Sequence, residues 1–99
     1  MQIAQINKLA DIQGIACAAH EQTGHQTRHE VETFSDGGVW STVGVYDRYN
    51  ERVYHSRVSI EPDGSERRLT GETDGPGTLA EQAVQLAEWI AANRKEVAA

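Results

Sequence analysis

An α+β domain is the fold class this 99-residue sequence predicts: an antiparallel meander of three to four strands between an N-terminal and a C-terminal helix, both helices packed on one sheet face. Apolar residues recur at helical spacing at both ends of the chain, alternation with a period of two governs the middle, and glycine-rich turn signals punctuate that middle. Hairpin connections make the sheet antiparallel. A sheet with one apolar face needs a cover, which two amphipathic helices can supply. Length and a single apolar pattern imply one domain over residues 1–99.

Residues 8–22 predict the first helix. Leu9, Ile12, Ile15, Ala16 and Ala19 share one arc, with Asn7 as N-cap and Gly24 as stop. Gly14 in its interior costs about 1 kcal/mol relative to alanine. Ile3 and Ile6 fall off that arc, which leaves a lead-in turn, a short edge strand, or contacts with a second chain. The first strand covers residues 25–34 and ends in Ser35-Asp36-Gly37-Gly38, whose glycines allow the positive φ values of tight hairpins.

The second strand, 39–47, sets Val39, Val43 and Val45 on one face and Trp40, Thr42 and Tyr46 on the other. Either the valines face the helices and the aromatics face outward, or a core tryptophan reverses the sheet. The third strand, 52–61, places Tyr54, Val58 and Ile60 on one side and His55, Arg57 and Ser59 on the other. Pro62-Asp63-Gly64-Ser65 turns the chain into a more polar stretch, 66–72, suited to a fourth, edge strand. Thr78 and Glu81 have capping-box spacing and open the last helix. Leu79, Ala83, Leu86, Ala87, Ile90 and Val97 form its core face; Gln82, Gln85, Asn93 and Glu96 lie opposite, and Trp89 sits on the flank.

Fifteen acidic against nine basic residues give a formal charge of −6, which disfavours direct nucleic-acid binding because phosphate contacts need a cationic surface. Residues 25–75 interleave ten acids with six arginines, the pattern of a solvated sheet face. Glu30 and Glu32 share one side of the first strand, with Arg52 and Arg57 as candidate partners on the next. The lone cysteine, Cys17, excludes an intramolecular disulfide and reads as a small buried filler among alanines. No apolar run reaches membrane-spanning length and the N-terminal stretch lacks a secretory pattern, so the cytoplasm is expected.

Catalytic chemistry finds little support. His20, Glu21, His25 and His29 are close in sequence but straddle a helix end, a loop and a strand, so no element offers two nitrogens at ligand spacing; His55 lies apart. Cys17 has no base beside it, and Ser41, Ser56, Ser59 and Ser65 lack a nucleophile-elbow context. No catalytic residue, metal site or cofactor is expected.

The order α-β-β-β-α, with Gly75-Pro76-Gly77 before the last helix, resembles the double-stranded-RNA-binding domain over about residues 8–95. That family grips phosphates with lysines at the start of its second helix, whereas Thr78-Leu79-Ala80-Glu81-Gln82 carries no basic residue, so the binding function does not transfer. The strand meander SDGGVWSTVGVYD and RVYHSRVSIEPDGS, with an alanine-rich closing helix, also resembles in style the small acidic anti-defence proteins of phages and mobile elements, notably type I anti-CRISPR inhibitors. That resemblance implies a non-enzymatic inhibitor in the bacterial host cytoplasm. Its partner would be a protein or ribonucleoprotein complex with a basic surface, and the expected contact residues are Asp36, Trp40, Tyr46, Asp47, Tyr49 and Glu51. The alternative is a structural homo-oligomer, a homodimer for example, that buries Ile3, Ile6 and Trp89 against a second copy.

Overall fold

The computed structural model describes residues 1–69 and 75–95. Helix α1 (Ile3–Thr23) leads into strands β1 (Gln26–Thr33), β2 (Val39–Tyr46), β3 (Arg52–Ile60) and β4 (Glu66–Arg68), and helix α2 (Leu79–Ala92) follows. The strands form one antiparallel sheet in the order β1-β2-β3-β4. The expected α+β architecture is therefore present.

The core lies between the sheet and the two helices. Leu9, Ile12, Ala16 and Ala19 of α1 meet Val39, Val43 and Val45 of β2, Val58 and Ile60 of β3, and Leu79, Ala83, Leu86 and Ile90 of α2, all buried. The valines of β2 thus face the helices, and Trp40 and Tyr46 face away. Five of these core positions are β-branched residues on strands, where a stiff, branched side chain packs well on a pleated surface.

Both helices point the same way along the sheet, and one carboxylate fixes the end where they begin. Gln5 of α1 donates from Nε2 to the Gly64 carbonyl at 2.8 Å and to Glu66 Oε2 at 3.1 Å. Glu66 Oε1 accepts from the Leu79 N–H at 2.6 Å, a negative charge on a free donor of the first turn of α2. Thr78 caps α2 as expected, Oγ1 accepting from the Glu81 N–H at 3.1 Å, while Glu81 Oε2 reaches back to the Gly77 N–H at 2.8 Å. At the far end the Lys95 N–H donates to the Gln22 carbonyl, and α1 stops at Gly24, whose φ of 78° closes the helix.

Four expectations are corrected. Helix α1 begins at Ile3 rather than at Lys8, because Gln5 Oε1 accepts the Gln2 N–H and its Nε2 ties the extra turn to the β3–β4 hairpin; Asn7 is helix interior. Ile3 and Ile6 are therefore helical, and exposed. Cys17 is exposed, not a buried filler. The buried stripe of α2 includes Gln82 and leaves Ala87 at the surface, since α2 turns its Gln82 side down onto the sheet. β4 ends at Arg68; the rest of the expected 66–72 strand past Leu69, and Glu96 and Val97, lie outside the described residues.

Gln82 is completely buried, and its amide joins three elements. Ser41 donates its hydroxyl to Gln82 Oε1 at 2.8 Å, while Gln82 Nε2 donates to the Ser41 carbonyl at 3.0 Å and reaches Ser56 Oγ at 3.2 Å. Because the Ser41 hydrogen goes to Gln82, Ser41 Oγ accepts from His29 Nε2 at 3.1 Å. His29 Nδ1 meets the exposed Gln13 amide at 2.8 Å, and that amide can turn over to suit either charge state of the ring.

Burial lowers the His29 pKa below its ordinary 6.5. The folded state then binds a proton less readily than the unfolded chain, so stability is full above the unfolded pKa and declines as pH falls through it toward the folded value. Urea midpoints should drop as pH falls through about 6.5, and His29→Gln should flatten that part of the profile. An unaltered slope in the variant would assign the loss to other groups.

Candidate protein-binding face

Among the described residues no helix covers the second face of the sheet. On β1 it presents Arg28, Glu30 and Glu32; on β2, Trp40, Thr42, Gly44 and Tyr46; on β3, His55, Arg57 and Ser59, as the cross-strand register requires. Trp40 forms the centre of one cluster. Phe34 meets its ring edge-on with centroids 4.9 Å apart, and the Arg57 guanidinium lies 4.9 Å above it. Arg57 is held there by a 2.9 Å bond from Nε to Thr42 Oγ1.

A second cluster lies toward the other end of the sheet. The Arg28 guanidinium sits 5.4 Å over the Tyr46 ring, with Glu30 3.9 Å from its Nε. Tyr46 folds over Gly44: a Cβ there would stand 3.0–3.3 Å from the Tyr46 ring and hydroxyl, tighter than ordinary contact. The bare glycine and its aromatic cover are mutually adjusted. Gly44→Ala should therefore displace the ring and cost about 1 kcal/mol, read as a lower denaturation midpoint with altered Tyr46 ring resonances. Unmoved resonances would contradict the packing. Between the clusters a shallow groove of about 180 Å³ is lined by Arg28, Glu30, Thr42, Gly44, Arg52 and Arg57, among others.

The residues expected to contact a partner divide between the two ends of this face. Asp36, at the β1–β2 tip, lies near Trp40; its Oδ1 accepts the Gly38 N–H at 2.8 Å. Tyr46 adjoins the β2–β3 tip, where Asp47, Tyr49 and Glu51 lie. The eight residues of β2 separate the tips by roughly 25 Å. Asp47 is structural as well as acidic, because its Oδ1 accepts the N–H groups of Tyr49 and Glu51, both at 2.9 Å. Tyr49 is 71% exposed beneath the Arg48 guanidinium, and Glu51 is exposed.

Arg57 does not pair with Glu30 or Glu32, because β2 intervenes between β1 and β3. Phe34, Arg28 and Arg57 join the aromatics on this face and were absent from the expected contact set; alternation placed them on a face, but only the register shows which ring each covers. At the opposite margin Arg67 pairs with Glu61.

Ile3 and Ile6 do not adjoin Trp89. They sit at the start of α1, whereas Trp89 packs near its end, with ring centroids 6.1 Å from His25 and 5.6 Å from Tyr54. Among the described residues no three His, Cys, Asp or Glu side chains converge on a metal position, and no helix is long and apolar enough to cross a membrane. Ser41, which meets His29, is completely buried with its hydroxyl hydrogen engaged, which closes it to a substrate carbonyl.

No protein-family model, curated protein or solved structure matches the chain. Function is accordingly read from the face itself.

Proposed function

We propose that the protein is a non-enzymatic binding protein that docks its helix-free sheet face on a partner and so occupies a site on a larger, nucleic-acid-handling complex, as an inhibitor of the anti-CRISPR kind. The observation that carries this reading is the pair of arginine-over-aromatic stacks, Arg57 on Trp40 and Arg28 on Tyr46, on a face that no helix among the described residues covers. Tryptophan, tyrosine and arginine are the residues that dominate binding energy at protein interfaces, where large rigid surface is gained with little loss of side-chain freedom.

Charge supports the choice of partner. The stacks form an arginine-bearing centre, while acids cluster at the hairpin tips, Asp36 at one end and Asp47 and Glu51 at the other. With a formal charge of −6, the chain is drawn toward a basic surface and away from phosphate backbones. The tips would meet the basic rim of the partner while the stacks bury at the centre, with no direct contact to nucleic acid.

A tagged protein incubated with bacterial lysate containing CRISPR and other nucleic-acid-handling complexes, recovered at low and moderate salt, tests this reading. Stoichiometric, salt-sensitive recovery of one such complex is the expected result. Recovery of the bait alone would remove the inhibitor reading.

A further inference from the structure

β1 has an outer edge that, among the described residues, no backbone pairs with. It is eight residues long, regular in register with β2, and free of proline and glycine, whereas natural edge strands are commonly kept short or interrupted to prevent pairing. The Phe34 N–H donates to the Gly38 carbonyl, so the even-numbered residues of β1 direct their backbone groups to β2. Thr27, His29, Val31 and Thr33 direct theirs outward. Val31, on the helix side of this edge, is 45% exposed.

We propose that two copies of this chain pair through β1 in antiparallel fashion, with His29 opposite its own copy. Charge chooses that register. It sets Arg28 opposite Glu30 twice across the two-fold axis, and Thr27 opposite Val31, with the outward backbone groups in hydrogen-bonding phase. A shift of one repeat in one direction keeps two opposite-charge pairs, Arg28 with Glu32, but puts Glu30 opposite Glu30 at the axis, and a shift in the other puts Arg28 opposite Arg28 with no such pair to offset it; like charges directly opposite are destabilising. The resulting eight-stranded sheet carries both open faces side by side, with the two Arg28–Tyr46 stacks flanking the axis. This dimer uses neither Ile3, Ile6 nor Trp89, and it stands whether or not the binding reading above does.

Sedimentation velocity of the full chain across the micromolar range tests the pairing without any partner. A dimer is expected for the native sequence. Arg28→Glu and Glu30→Arg should each weaken dimerisation by roughly 10-fold, since each turns two attractive cross-strand pairs into repulsive ones, and the double exchange Arg28→Glu with Glu30→Arg should restore it. Val31→Pro, which removes an outward N–H while sparing the bonds to β2, should give a folded monomer. A monomeric native protein at high micromolar concentration, or a dimer indifferent to both single exchanges, overturns the proposal; loss without rescue in the double variant overturns the register.

Discussion

Gln82→Ala is expected to lower stability by about 2–4 kcal/mol. The change leaves a void under α2, removes the acceptor of the Ser41 hydroxyl hydrogen, and strips the Ser41 carbonyl and the Ser56 hydroxyl of the Gln82 amide. Unmet buried polar groups carry the full cost of lost water contacts, which is why the penalty exceeds that of an ordinary hydrogen bond. For a domain of this size it corresponds to a fall in Tm of roughly 10–30 °C. Gln85→Ala, three residues along and only half-buried, should stay within about 0.5 kcal/mol. Thermal melts of both variants check the claim, and equal melting temperatures would contradict the buried network.

Trp40→Ala and Arg57→Glu should each weaken partner binding by at least about 30-fold, or 2 kcal/mol, while leaving the fold intact. Trp40 is half-exposed and lies on the side of β2 away from the helices, so its removal opens no void in the main core. Arg57→Glu sets a carboxylate over the indole face, where the ring quadrupole repels it. Charge reversal at the tips should matter less. Glu51→Arg is the informative tip variant, with a loss of about 1 kcal/mol or less that fades as salt rises. Asp47→Arg would also remove the acceptor of two turn N–H groups, so weakened binding there would report the turn as much as the charge.

Periodicity made most of the fold legible. Leu9, Ile12, Ala16 and Ala19 on α1, the sharing of one face by the valines of β2, and the Thr78–Glu81 cap of α2 are local patterns, and each is present in the structure. What escaped depends on contacts distant in sequence. A glutamine reads as a surface residue until Ser41 and Ser56, on two strands distant in sequence, are seen to satisfy it, so polarity alone puts Gln82 on the wrong side of α2. The early start of α1 rests on Gln5 meeting Gly64 and Glu66, contacts invisible at helical spacing.

The candidate face divides the same way. Trp40 and Tyr46 share a face by alternation alone, but whether that face is covered turns on a near balance between burying valines and burying an indole, which sequence does not resolve. The stacks of Arg57 on Trp40 and Arg28 on Tyr46 follow from cross-strand register, set by hairpin geometry rather than by any local motif.

The most direct measurement is a side-by-side recovery from bacterial lysate of tagged native protein and the Trp40→Ala, Arg57→Glu double variant, quantified by mass spectrometry with circular dichroism to verify folding. The binding account predicts that the native protein retains a nucleic-acid-handling complex in stoichiometric amount and that the folded variant loses it. Equal recovery of that complex by both proteins would contradict the assignment of this face, and recovery of no complex by the native protein would contradict the inhibitor reading itself.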